Sequence, residues 1–369
     1  MGHGRWRGDK DMAAATRLRV GILPAVGSGL GSMARTGQLG RLYRHLSHYV
    51  DEASLTYFSG LPYADEVQHW KPFYQQTGSA LWPVPSGIRA GFLWPLRDPV
   101  ARQMNVFRAM SLLGAVPALM ARWRWGIPFV VSHGADYEAI AAIHGRPAWK
   151  WQWLRQLVFR WAAAVIVPSE PMAIRLQARF PKTKIVYIPN WVDTEMFRPF
   201  GYNDGKIAVY VGRLVAEKNL QRAARALGKS GWIFLCIGEG PDRAILEGMG
   251  VICTGASSWE SLPSVLNGAS LFVLPSLSEG HPKALIEAMA CGLACAVSDR
   301  VEGVIQDSRN GVVFGAEDER DMEGVFRRLI RTPSFRAELG RQARHNAVER
   351  YDIKKVLPQE VALVKGCAS

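Results

Sequence analysis

Short apolar runs separated by stretches of helical spacing recur along the whole chain. In the first half the runs are RLRVGIL (17–23), SLTYFS (54–59), IPFVVS (127–132), AVIVPS (164–169) and KIVYIPNWVD (184–193). Between them, TGQLGRLYRHLSHYV (36–50), VARQMNVFRAMSLLGAVPALMARW (100–123), AWKWQWLRQLVFRW (148–161) and EPMAIRLQARF (170–180) read as helices. Residues 60–98 are rich in Pro, Gly and aromatics and predict a long irregular excursion. The second half restarts the pattern with strands in KIAVYVGR (206–213), WIFLCIGEG (232–240), GVICTG (250–255) and LFVLPS (271–276). Its helices lie near NLQRAARAL, DRAILEGM, SLPSVLNGA and PKALIEAMACG. Strands this short, alternating with helices, predict parallel sheets covered on both faces.

Two such series joined near residue 193 predict an α/β fold of two doubly wound, Rossmann-like domains facing one another. The expected organisation is a flexible tail over 1–16, a first domain over 17–193, a second over 194–345, and a final helix within 346–369 returning to the first. Ligands of such sheets bind outside the carboxyl ends of the strands, which here means the cleft between the domains.

Composition adds four exclusions. At 48% hydrophobic and 21% charged residues, the chain is that of a folded protein, not a disordered one. No apolar run reaches the length of a membrane span: AMSLLGAVPALMA (109–121) is short and contains Pro117. The amino-terminal stretch has basic residues but no apolar signal core, so a cytoplasmic protein is expected. Five cysteines form no C-x-x-C pair, which suits reduced thiols and removes a zinc reading.

Charge changes the picture more. The net +13 belongs wholly to residues 1–190, with 23 Lys+Arg against 10 Asp+Glu; residues 191–369 hold 22 of each. That half is expected either to meet something anionic or to carry a solvated basic face. Trp149, Trp151, Trp153 and Trp161 mingle with Lys150, Arg155 and Arg160, a bilayer-interface composition. Projected at helical spacing the cations do not share one face, which favours an internal helix.

The candidate chemistry sits mostly in the second half. After KIAVYVG, Gly212 leads into Arg213 and Lys218, five apart, which can converge on one anion such as a diphosphate. The alternative is a solvent-facing turn in which Arg213 pairs with Glu217. Gly238-Glu239-Gly240, after the next strand, lets backbone approach a flat base or ribose. Glu279 and Glu287 flank the point where a loop becomes a helix expected to begin at Pro282. The amides of Lys283, Ala284 and Leu285 would then face the cleft. A carboxylate accepts two hydrogen bonds and so can hold a vicinal diol, of a ribose or a hexose. Acidic enrichment near a helix start is the plainer alternative.

GRLVAEKN, GEGP, LPSLSEGHPKALIEAMACG and IPNWVD, in this order and spacing, resemble glycosyltransferase family 4, the retaining, nucleotide-sugar-dependent enzymes of the GT-B fold. The resemblance implies that Glu279 holds the donor sugar's hydroxyls, Glu287 the ribose, and Arg213 with Lys218 the diphosphate. It places His133, in SHGADY (132–137), beside the donor sugar, with Asp136 in the same motif. Gly31 of GSGLG falls at the family's glycine-rich loop, and Gly212, Gly238, Glu239, His281, Lys283, Ala284 and Leu285 line the donor site. On residue chemistry alone, a histidine following a strand is more often structural.

The implied activity is transfer of a hexose-type sugar from a UDP- or GDP-linked donor to a saccharide or lipid-linked acceptor. The first domain would serve the acceptor and the second the donor. No cofactor beyond the nucleotide sugar and no essential metal is expected; the sole D-x-D, Asp9-Lys10-Asp11, lies in the tail. Partners would include a possible anionic membrane surface and no nucleic acid. Alternatives are a non-catalytic nucleotide-sugar-binding partner and an epimerase of the same fold. A dinucleotide-dependent dehydrogenase is disfavoured, because no acidic residue closes SLTYFS and the glycine spacing is wrong. Two departures from the family are Trp191, where glycine is usual after Asn190, and a shortened loop after Asp299.

Overall fold

The computed structural model describes residues 18–368 other than 25–29, 60–67, 74, 76–78, 84–92, 135–137, 139–140, 142–144, 146, 202–204 and 229. The first sheet comprises β1 (Leu18–Leu23), β2 (Ala53–Ser59), β3 (Ala80–Pro83), β4 (Val106–Ala109), β5 (Phe129–Ser132), β6 (Ala164–Val167) and β7 (Ile185–Tyr187). They lie in the order β3-β2-β1-β4-β5-β6-β7, every pair parallel. The second sheet comprises β8 (Ile207–Val211), β9 (Ile233–Ile237), β10 (Ile252–Gly255), β11 (Leu271–Leu274), β12 (Ala294–Ser298) and β13 (Val312–Phe314). Its order is β10-β9-β8-β11-β12-β13, again parallel. Each sheet reverses its winding once, at β1/β4 and at β8/β11, and a reversal of this kind opens a crevice at the carboxyl ends.

Four strands differ from the pattern reading. β4 lies inside the stretch expected to be one helix, between a 3-10 turn at Ala101–Gln103 and the α-helix Ala115–Trp125. All four β4 residues are buried, and so short an apolar run carries no period that separates strand from helix. β3 falls within the expected irregular excursion, while β12 and β13 give no alternation because both faces are covered.

The chain crosses between the sheets twice, side by side. Val192 N–H donates to the Tyr351 carbonyl (2.9 Å), and Ile353 N–H donates to the Val192 carbonyl (2.9 Å). Helix Pro333–Arg350 packs on β12, and helix Ile353–Gly366 returns to the first sheet. There the buried Glu360 carboxylate accepts from Arg108 Nε (2.9 Å) and the Tyr49 hydroxyl (2.7 Å), with His45 Nε2 at 3.0 Å. Burial alone would raise that carboxyl, but Arg108 and His45 hold it well below the usual range.

Candidate functional site

The turns that follow β8 and β9 pack backbone against backbone. Gly212 and Gly238 have φ of +153° and +147°, and a Cβ on Gly238 would stand 1.9 Å from the Gly212 carbonyl oxygen. Only glycine fits both demands there. Asn219, in the left-handed region at φ +55°, donates through Nδ2 to the carbonyls of Pro275 (3.1 Å) and Ala316 (2.8 Å). That staple fixes the segment after β8 against the end of β11.

One consequence is the placement of Lys218. Its Nζ pairs with Glu279 Oε1, which also accepts from Ser276 Oγ (2.9 Å). Ser276 is held in turn, its carbonyl accepting from the Ser298 hydroxyl (2.6 Å). Arg213 does not join this cluster: its side chain is 71% exposed and pairs with buried Glu217 at 3.2 Å. The solvent-facing alternative for Arg213 is therefore the arrangement seen.

Glu279 stands where the two domains meet. A Cβ on the next residue, Gly280, would lie 2.1 Å from the Gly134 carbonyl oxygen, so the Ser-Glu-Gly of the second domain touches the Ser-His-Gly of the first. His133 follows β5, is buried, and sets its ring edge-on to Phe159 at 5.3 Å. Asp136 lies outside the described residues. His281 is buried beside Tyr351, ring centroids 5.0 Å apart, and its carbonyl accepts from Asn190 Nδ2 (2.6 Å). Burial, with Arg350 adding to it, pushes this imidazole down to about 3.

The helix after Glu279 runs Lys283–Ala290, one residue later than expected, with Pro282 extended at its N-cap (φ −72°, ψ 121°). No side chain caps it, so its first-turn amides keep the polarity that draws an anion. The Lys283 side chain is accessible to solvent although protein surrounds it, Ala284 is half-buried and Leu285 buried. That surrounding protein, and secondly Arg41, push the Lys283 ammonium down to about 8.

Glu287, one turn further in, is buried and its carboxylate is engaged. Arg41 Nη1 (2.5 Å) and Trp259 Nε1 (3.0 Å) both donate to Oε1. Arg41 comes from helix Leu39–Ser47 of the first domain; its Nη2 donates to the Trp191 carbonyl (2.7 Å), and its guanidinium lies 4.8 Å from the centre of the Trp191 ring. Burial raises the Glu287 carboxyl, with Arg41 opposing, and burial also lowers Arg41. Gly31 is buried in helix Leu30–Arg35, while exposed Glu239 pairs with Arg243 at 3.0 Å.

Arg41, Trp259 and Ser276 were not singled out in the sequence. Ser276 stands three residues before Glu279 at the end of an apolar run, which is a usable signal. Arg41 and Trp259 have none, because their contact with Glu287 exists only once the domains dock. The site as built offers cations and free amides for an anion, beside carboxylates that accept from hydroxyls.

Residues 192–346 match the family model described as "Glycosyl transferases group 1", and residues 61–196 the model described as "Glycosyltransferase Family 4". Over 232 residues the chain is 28% identical to an alpha-D-kanosaminyltransferase of Streptomyces kanamyceticus, covering 55% of this chain and 60% of that one. Over 233 residues it is 30% identical to a GDP-mannose-dependent alpha-mannosyltransferase of Mycobacterium tuberculosis, covering 56% and 60%. It thus spans less than two thirds of either relative's length. In three dimensions it resembles a sucrose-phosphate synthase from Thermosynechococcus elongatus (TM-score 0.80, 14% identity, 95% of this chain and 99% of that one). It also resembles HepE of Anabaena in complex with UDP (TM-score 0.74, 14% identity, 95% and 100%). Both likenesses are of fold.

Proposed function

The chain belongs to the family 4-type glycosyltransferases and has their GT-B fold, and from that premise we propose that it transfers a hexose-type sugar, with retention, from a UDP- or GDP-linked donor to a saccharide or lipid-linked acceptor. The observation that carries this reading is the Lys218–Glu279–Ser276 cluster at the β8/β11 reversal, set beside an uncapped helix mouth and against the Ser-His-Gly of the other domain. A nucleoside diphosphate sugar presents what such a site binds: a diphosphate flanked by hydroxyl-bearing rings. The UDP complex among the structural neighbours and the GDP-mannose-dependent relative support testing both nucleotides.

In the proposed step the bond between the anomeric carbon and the phosphate oxygen breaks, its electron pair leaving with the phosphate. The acceptor oxygen bonds to the same face of that carbon and gives its proton to the departing phosphate. Lys218 and the amides of Lys283 and Ala284 stabilise the charge that grows on the diphosphate. Glu279, held by Lys218 and Ser276, accepts from the sugar's hydroxyls and so orients the anomeric carbon. Glu287 accepts from the ribose through the oxygen that Arg41 and Trp259 leave free of their bonds. Lys283 and Arg41 add positive potential nearby.

The test is a thermal-shift panel of UDP, GDP, ADP and their sugar conjugates, followed by turnover of the Lys218→Ala variant. One base is expected to raise the midpoint. The variant should lose about a hundredfold in kcat, the scale of one transition-state contact. Near-normal turnover in Lys218→Ala removes the proposed role. Tight nucleotide binding with no donor consumed, across acceptors, would favour a non-catalytic binding partner instead.

A further inference from the structure

Two neighbouring helices of the first domain, Ala115–Trp125 and Trp149–Trp161, carry tryptophans that the core does not use. The second helix buries Arg155, Val158 and Phe159 and turns the other way with Trp149 (62% exposed), Trp153 (64%) and Trp161 (40%). It is thus a helix of the first domain, as expected, but one that packs on the core by one face and leaves the other exposed. Trp149, Trp153, Leu157 and Trp161 follow at steps of four in a row that drifts slowly round the helix, with Leu157 half-buried against the core and the three tryptophans exposed. The ridge ends against Trp123 of the other helix (47% exposed), whose ring meets Trp161 edge-on at 6.2 Å.

Charge tells what this surface faces. The two helices hold Arg122, Arg124, Lys150, Arg155 and Arg160 and not one Asp or Glu. Arg155 is engaged with Glu138 (2.6 Å) and Arg122 with the Gly126 carbonyl (2.5 Å). Arg124, Lys150 and Arg160 make no ion pair among the described residues, and Lys150 lies over the Trp149 ring at 5.6 Å. A tryptophan ridge flanked by unpaired cations and no acids matches the boundary of an anionic bilayer, where the indole ring sits at headgroup depth and the cations meet phosphate. Among the described residues no helix is long and apolar enough to cross a membrane.

We propose that the ridge Trp149–Trp153–Trp161 with Trp123, flanked by Arg124, Lys150 and Arg160, docks this protein on an anionic lipid bilayer. Docking there would hold the first domain against the membrane and present its cleft to acceptors embedded in it. The proposal does not depend on the donor reading, because vesicle binding is measured without turnover.

The experiment is co-sedimentation of the full chain with phosphatidylcholine vesicles and with vesicles of phosphatidylcholine and phosphatidylglycerol in equal parts. Sedimentation is preferable to intrinsic fluorescence because thirteen tryptophans would report together. Binding is expected only to the anionic vesicles, and to weaken with added salt. Trp149→Ser with Trp153→Ser should lose about tenfold in partition per tryptophan. Lys150→Gln with Arg160→Gln should lose about fivefold per cation. All four positions are exposed, so unchanged circular dichroism and thermal midpoint will certify folding. Equal binding to both vesicle types, binding to neither, or parental binding by the tryptophan variant would overturn the proposal. Self-association that needs Trp149 and Trp153 while vesicles are ignored would also overturn it and assign the ridge to a second copy.

Discussion

At position 281 a neutral imidazole is buried edge-on to Tyr351, within reach of the field of Arg350 and Arg41. Its folded value of about 3 against the ordinary 6.5 has a definite consequence for stability. Above pH 6.5 the ring is neutral in the folded and unfolded chain alike, and its contribution is fully present. Below that the unfolded chain takes the proton first, so stability falls as pH drops towards 3, at up to about 1.4 kcal/mol per pH unit. His281→Phe keeps the ring packing and leaves the carbonyl that Asn190 holds. The variant and the parent should have similar stability near neutrality, and by about pH 4 the variant should lead by about 3 kcal/mol. Urea unfolding of both across that range is the measurement; parallel curves would mean the ring finds solvent or a partner when protonated.

The elements of the site are two loops pressed together, and their glycines differ in what they do. Gly238 is fixed by its own domain, through φ and the Gly212 carbonyl, whereas the close neighbour of Gly280 is Gly134 of the other domain, at ordinary backbone angles. Gly280→Ala should therefore push the domains apart without unfolding either. The expected result is a fall in turnover of about a hundredfold, the scale of a misplacement near 1 Å, with little change in thermal midpoint. Gly238→Ala should instead lower the midpoint. If Gly280→Ala turned over normally, the contact between the two loops would have no part in assembling the site. Much of this was legible in the chain: β8, β9 and β11 are apolar runs that end in Gly or Pro-Ser, and those ends carry the site. β4 was not, because four buried residues fit a helix as well as a strand, nor was β13, with three. The convergence of Lys218 and Glu279 on one rim follows from strand order; that Arg213 turns instead to Glu217 depends on rotamers no spacing encodes.

At the scale of the whole molecule, the two domains are joined by the paired crossings at Val192 and Tyr351–Ile353 and by an ion pair that no local sequence announces. Arg41 and Glu287 lie 246 residues apart, and both are buried. Desolvation weakens the ionised form of both partners, so the pair is held by geometry: the guanidinium is stacked on Trp191, and Trp259 adds a second donor to the same oxygen. Arg41 is thus a positioning residue for Glu287 in the proposed donor site. Removing it leaves a buried carboxylate whose titration, already raised by burial, moves higher still. Arg41→Ala should cost about 3–5 kcal/mol of stability, as breaking a buried pair does. It should also raise the donor KM by about tenfold or more near neutral pH, since a protonated Glu287 accepts one hydrogen bond fewer from the ribose. The KM defect should shrink as pH rises and the carboxylate ionises, while the loss of stability should not disappear with it. Arg41→Lys, which keeps the charge but not the planar fork, should fall between. Should the donor KM of Arg41→Ala match the parent's at every pH, the pair would be a domain clamp alone, and Glu287 would have no contact with the donor to lose.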